Sequence, residues 1–287
     1  MLRTVIRLTA MTILLVGVVF AVSACKGGKD LDGEPRYGVV LLRGPITDAR
    51  KYVEWMAELR EDDDVAGVLV RIDSPGGVVG PSQELYRAMV RLAEVKPVAV
   101  SMGAVCASGG YYMACPGTRL FANAGTLTGS IGVRMELTNL MELMETLGVR
   151  HTSITSGKFK DSPSPFRNMT AEERAYIETI VLDLHAQFTE DILAVRDMDN
   201  ATLQQIADGR ILTGRQALAV GAIDALGGQE EAQEWLEKAT GKGELPLDEG
   251  PKDKRNWYEK LAEAVADVLP LAGMTHLAGP RWQAEYR

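Results

Sequence analysis

The chain has 287 residues, 46% of them hydrophobic, which is enough for one large or two small domains with a sizeable core. Its formal net charge of -8, with Arg and Lys scattered rather than clustered, excludes the basic face that nucleic acid requires. Cys106 and Cys115 have no nearby histidine with which to build a metal site, so neither metal nor cofactor is expected.

At the N-terminus Arg3 and Arg7 precede an apolar run from Leu8 to Val22, and Ser23-Ala24-Cys25 follow. This is the order of a charged region, a hydrophobic region and a small-residue cleavage site. Val22-Ser23-Ala24-Cys25 resembles a bacterial lipobox, in which the cysteine becomes the lipidated first residue of the mature protein. Residues 1–24 then form a lipoprotein signal peptide. The alternative is a single transmembrane anchor, for which the run is near the lower length limit. Either way the rest of the chain lies outside the cytoplasm, on the periplasmic side of a bacterial envelope and beside a bilayer. A chain this acidic is held by its acyl chains, at about 0.8 kcal/mol per buried methylene, rather than by charge.

Residues 25–36 are polar and glycine-rich and read as a flexible tether. A folded domain over 37–240 opens with a strand from Gly38 to Leu42. Asp48 is placed to cap a helix that carries Val53, Met56, Ala57 and Leu59. Val65 to Ile72 is a second buried strand, ending in the tight turn Asp73-Ser74-Pro75-Gly76-Gly77, and Pro81 is positioned to open a helix to about Ala93. Strand and helix alternating at this spacing predict an α/β fold with parallel pairing and right-handed crossovers.

Residues 97–102 form the next strand, and the glycine-rich run through Ser108, Gly109 and Gly110 turns it into a short helix. A serine at that join faces the positive end of a helix, which favours an oxyanion. Cys106 and Cys115 flank this helix and are expected as buried small hydrophobes rather than a disulfide. Thr118–Ala122 reads as a strand, Gly125–Val133 as an apolar segment close to other backbone, Asn139–Leu147 as a helix and Arg150–Thr155 as a strand. Two prolines make 156–165 a loop. Thr170 and Glu173 match a capping box for an amphipathic helix reaching Val195. Helical pieces follow at 203–207, after Thr213 and at 229–240. Residues 241–255 read as linker and 256–287 as an amphipathic helical tail.

Ser108 needs a base. None of the three histidines, His151, His185 and His276, lies in a glycine-rich or loop context that points to a site. A lysine serves instead if burial brings its pKa well below about 10.4. The loop at 156–165 offers Lys158 and Lys160.

Five blocks stand in order along the chain: Asp73–Gly77, Ala107–Tyr112, Thr128–Val133, Ser156-Gly157 followed by Lys160-Asp161, and Asp208–Ala217. Together they resemble the signal peptide peptidase A family of serine proteases, peptidase family S49, in its short single-domain form. The resemblance covers roughly residues 37–240. It implies the crotonase-like fold shared with the Clp protease, built of repeated ββα units, here with a C-terminal helical extension. It also implies that Ser108 is the nucleophile, Lys160 the general base and Ser130 a supporting hydrogen-bond partner of Lys160. The oxyanion would meet backbone N–H groups of Gly76 or Gly77, with a second donor at or next to Ser108, such as Gly109. Lys158 does not match the family spacing and reads as a solvated surface residue.

The resemblance further implies a homo-oligomeric ring, an octamer in short members, whose sites are shared between neighbours. The function expected is a tethered serine endopeptidase cleaving extended apolar peptides such as remnant signal peptides. Alternatives are a catalytically silent scaffold of the same fold and an acyl-CoA enzyme. The export signal disfavours the second, because coenzyme A is cytoplasmic.

Overall fold

The computed structural model describes residues 33–251 and the backbone of Glu285 and Tyr286. The lipobox with Cys25 and the amphipathic stretch expected after residue 255 lie outside the described residues, the backbone of 285–286 excepted. Among the described residues no helix is long and apolar enough to cross a membrane. The folded unit begins at Pro35.

In chain order the first elements are β1 (Arg36–Arg43), α1 (Arg50–Glu61), β2 (Val65–Ser74), β3 (Gly77–Val78), α2 (Val79–Ala93), β4 (Val98–Ala107) and α3 (Gly109–Ala114). They are followed by β5 (Arg119–Ala122), β6 (Leu127–Gly129), α4 (Met141–Thr146), α5 (Ala171–Val195), α6 (Asn200–Ile206) and β7 (Ile211–Thr213). The last are α7 (Gly214–Ala219), β8 (Ala225–Leu226), α8 (Gln229–Thr240), β9 (Leu247–Gly250) and β10 (Glu285–Tyr286).

One eight-stranded sheet runs in the order β7-β6-β4-β2-β1-β9, with β5 pairing β4 and β8. All of its pairs are parallel except β6 with β7. Alternate strand residues face opposite ways, so each strand feeds two cores. Val40, Leu42, Val68, Val70, Val98 and Val100 pack with Met56 and Leu59 of α1 and Leu85 and Met89 of α2. Val39, Leu69 and Ala99 on the other face meet Ala232 and Leu236 of α8. Each fully buried Val or Leu contributes roughly 1.5–3 kcal/mol. The result is a mixed α/β layered fold with a predominantly parallel sheet, in agreement with the expected class.

Several elements depart from the sequence reading. Residues 150–155 form no strand and are exposed, Ile154 at 96%; no strand pairs with them, and unpaired extended backbone is left to water. Residues 247–250, within the stretch read as linker, instead pair with β1 as β9. Arg36 ties this edge together: its buried guanidinium meets Asp62, Asp64 at 3.7 Å and Asp248 at 3.4 Å. Helix α2 starts at Val79, two residues before Pro81; proline is tolerated there because first-turn N–H groups have no intrahelical partner. Ala49 rather than Asp48 is the N-cap of α1, although the Asp48 carboxylate accepts the Arg50 N–H at 2.8 Å.

Candidate active site

Strand β4 is longer than expected because it changes partners along its length. Ala99–Met102 pair with β5 and Val105–Ala107 with β6, so extended backbone persists up to residue 107. Ser108 then breaks the strand with φ 53° and caps α3. The residue after the partner strand does the same: Ala107 pairs with Gly129, and Ser130 has φ 52°. Among the described residues these two serines are the only non-glycine positions with positive φ. That conformation costs energy for a residue with a β-carbon, and it recurs where function overrides local preference.

The surroundings hold this geometry. The Ser108 N–H donates to the Gly129 carbonyl at 2.8 Å, its own carbonyl accepts the Tyr112 N–H at 2.8 Å, and the Ser130 N–H donates to the Arg210 carbonyl at 2.8 Å. The ring of Tyr112 lies between Tyr86 of α2 and Phe188 of α5, at centroid distances of 4.8 and 4.5 Å. The Tyr112 hydroxyl donates to the Asp191 carboxylate, and the Tyr86 hydroxyl to the Asp191 carbonyl. Ser108 itself is buried, and its Oγ has no hydrogen-bond partner among the described residues. A buried hydroxyl without a partner is unusual.

The turn after β2 comes up against the Ser108 turn. A β-carbon built on Gly109 would fall 3.3 Å from the Gly77 amide nitrogen and 2.4 Å from Ser82 Oγ, so only glycine fits. The Gly76 N–H, by contrast, is directed to Ser74 Oγ at 3.1 Å. Gly77 is also fixed from behind, because Ile46 donates to the Gly76 carbonyl and accepts from Val78, both at 2.8 Å. Ser82 Oγ donates to the Val78 carbonyl at 2.9 Å. The roles of Ser74 and Ser82 are not legible from residue type; their position beside the Pro-Gly-Gly turn is the only sequence signal. The far side of β3 pairs antiparallel with β10, Gly77 opposite Tyr286 and Val78 opposite Glu285.

Other candidates fall away. Cys106 and Cys115 are free and buried; burial raises the Cys106 thiol well above its ordinary value and pushes Cys115 up to about 12, so neither is a thiolate at neutral pH. His151 is exposed and lies against Phe166 with tilted rings, centroids 4.5 Å apart, and His185 lies on α5. His276 lies outside the described residues.

Ser108, Ser130, Gly76, Gly77 and Gly109 are thus gathered at the ends of β2, β4 and β6. Lys160 makes no hydrogen bond to Ser108. It sits on an exposed loop, its N–H bonded to the Gly157 carbonyl at 3.1 Å, and its ammonium has no ion pair or hydrogen bond among the described residues. Lys158 is engaged, 2.5 Å from Glu172. No His, Cys, Asp and Glu cluster suited to a metal occurs among the described residues.

The model for peptidase family S49 matches residues 91–242, more than half the chain. The chain belongs to peptidase family S49. A Synechocystis protein named as a protease is 40% identical over 207 residues, covering 71% of this chain and 75% of its own. A Methanocaldococcus jannaschii protein named as a protease is 39% identical over 191 residues, 67% of this chain and 61% of its own. An Enterococcus faecium protein named signal peptide peptidase SppA is 34% identical over 190 residues, 66% of this chain and 55% of its own. The match thus spans less than two thirds of the latter two. As an S49 member the chain is a peptidase with a crotonase-like fold.

The S49 domain also contains a network that residue patterns did not flag. Arg167 donates to both Glu173 carboxylate oxygens, at 2.8 and 2.5 Å, and to the Asp161 carboxylate at 3.2 Å. Glu173 completes the expected capping box by accepting the Thr170 N–H at 2.9 Å. The Arg167 hydrogen bond first, and the Thr170 N–H second, hold the Glu173 carboxyl down from 4.5 to about 2. A depressed carboxylate stabilises the folded form above its unfolded pKa, and that stability is lost as pH falls through the folded value. Lowering the pH from about 5 to 2 should therefore loosen the start of α5, read as faster amide exchange at Glu173 and Arg174 than in β2.

Proposed function

We propose that this peptidase is a membrane-tethered, extracytoplasmic serine endopeptidase with a Ser108/Lys160 dyad, cleaving extended, largely apolar peptides such as remnant signal peptides. The observation that carries the reading is Ser108: a buried hydroxyl without a partner, held at positive φ beside the Gly77 amide. In this mechanism Ser108 Oγ attacks the scissile carbonyl and its proton passes to the neutral Lys160 amine. The Ser130 hydroxyl orients that amine. The oxyanion accepts from the Gly77 and Gly109 N–H groups, each worth a few kcal/mol, about 3, in the transition state. Gly77 is preferred to Gly76 because the Gly76 N–H already serves Ser74. The Lys160 ammonium then protonates the leaving amine, and water hydrolyses the acyl-enzyme by the same route.

The antiparallel pairing of β10 on β3 supports an extended substrate, which would take the place of residues 285–286 there. A lysine base works when it leaves water. Lys160 is exposed on its own chain, so the covering surface comes from a second copy, as in a ring of shared sites. Surface shape supports this. Helix α4 buries no residue, and Leu140, Leu143 and Leu147 form an exposed apolar stripe along it. A groove of about 780 Å³ adjoins the start of this helix, lined by Met135, Leu137, Asn139, Ile177, Val181 and Leu182 among others. An exposed apolar ridge beside a groove suits burial against another copy of the chain. Cys25 supplies the lipid anchor.

Treatment with a fluorophosphonate or a peptide aldehyde tests the nucleophile. The expected result is one adduct on the peptide containing Ser108, absent in Ser108→Ala. Stoichiometric labelling of another residue would sink the assignment.

A further inference from the structure

The loop that carries Lys160 is fastened to the start of α5 at three closely spaced points. The Lys158 ammonium pairs with Glu172 at 2.5 Å. The Phe159 ring stacks on Tyr176, centroids 4.8 Å apart and planes 27° apart. Asp161 is held by Arg167 twice, through its carboxylate at 3.2 Å and its carbonyl at 3.1 Å, while the same guanidinium grips Glu173. Residues 158, 159 and 161 are all committed to this platform. Lys160 alone leaves its side chain free to reach elsewhere.

We propose that Arg167 is a positioning residue for the general base: bridging Asp161 to Glu173, it sets the loop from which Lys160 reaches the serine. This role rests on the Ser108/Lys160 reading. Its chemistry follows from the side chain. A guanidinium is a planar fork that fixes the separation and orientation of two carboxylates at once, whereas an ammonium is a point charge on a flexible stem. A catalytic group must be held to within a fraction of an ångström, and of the three fastenings the Arg167 clasp is the one that grips the residue next to Lys160 by both carboxylate and carbonyl. The bridge also differs from an ordinary helix cap. Thr170 caps α5 through the Glu173 N–H at 3.2 Å without touching Asp161. The cap and the loop clasp are therefore separable by mutation.

The experiment compares Arg167→Lys, Asp161→Ala and Thr170→Ala in the full chain, with a peptide substrate, amide hydrogen exchange and thermal melting. Arg167→Lys keeps the charge and loses the fork. It should lower kcat about 10- to 100-fold with KM within about 2-fold, and speed exchange over residues 157–163. Asp161→Ala should act in the same direction, because it removes the carboxylate contact at the loop end while the carbonyl contact stays. Thr170→Ala should lower the melting temperature while leaving kcat near wild type. Equal loss of kcat in Thr170→Ala would overturn the proposal in favour of a general stabilising role. Unchanged kcat in Arg167→Lys would overturn it too, when Lys160→Ala is inactive. If Lys160→Ala retains turnover, the dyad reading itself fails, and this role fails with it. Should Arg167→Lys not fold, Asp161→Ala decides by the same readouts.

Discussion

Chains carrying Ser108→Ala and chains carrying Lys160→Ala, each inactive alone, should regain activity when assembled together. Each substitution by itself is expected to cost about 10⁴-fold or more in kcat, because nucleophile and base act as a unit. In a ring where each site takes its serine from one chain and its lysine from the next, a working site needs an intact Ser108 beside an intact Lys160. At equal amounts and random order that juxtaposition arises at about one site in four, so about a quarter of wild-type turnover should return. The measurement is peptide hydrolysis by co-expressed, co-purified chains, with each single variant purified alone as the control. No recovery, in particles that demonstrably contain both chains, would place both residues of the dyad in one chain. That outcome would require the loop of residues 156–165 to fold over Ser108, a contact that a single chain does not make: Ser108 Oγ is buried without a partner while Lys160 stands exposed.

Much of this site was legible in the residues because local chemistry dictates it. The apolar runs of β1, β2 and β4 read as buried parallel strands, and Ser108 followed by two glycines reads as a turn into a short helix; these elements form. The capping box at Thr170 and Glu173 was readable for the same reason: it involves partners three residues apart. What resisted were features set by distant partners. Whether residues 150–155 or 247–250 form a strand depends on which sheet edge is free, and the answers were opposite to the local pattern. The bond from the Gly76 N–H to Ser74 and the ion pair of Lys158 with Glu172 are likewise contacts that residue type does not announce. Arg167 looked like any surface arginine, since its role depends on two carboxylates that meet only in the folded loop.

Glutamates at positions 143 and 147 should take the assembly apart and silence it together. Leu143 and Leu147 are 56% and 68% exposed and, with Leu140, form one stripe of a helix that buries nothing of its own chain. Their substitution therefore costs the monomer fold little: surface changes away from packed features usually fall within about 0.5 kcal/mol. In an interface the same leucines leave water, and each buried one contributes roughly 1.5–3 kcal/mol, while a glutamate there adds an unpaired buried charge. The double variant Leu143→Glu, Leu147→Glu should sediment as monomer with unchanged melting of the sheet domain, and its peptide hydrolysis should fall to the level of Lys160→Ala. Ser108 should lose its phosphonate reactivity in parallel, since the base arrives with the neighbour. A monomeric variant with full turnover would refute the shared site. A variant that remains a ring would move the interface elsewhere, away from the α4 stripe. The test thus separates the location of the interface from its role. The expected coupling of assembly to activity has a physical root: a lysine base has to leave water to become neutral, and on an isolated chain the loop that carries it lies in solvent.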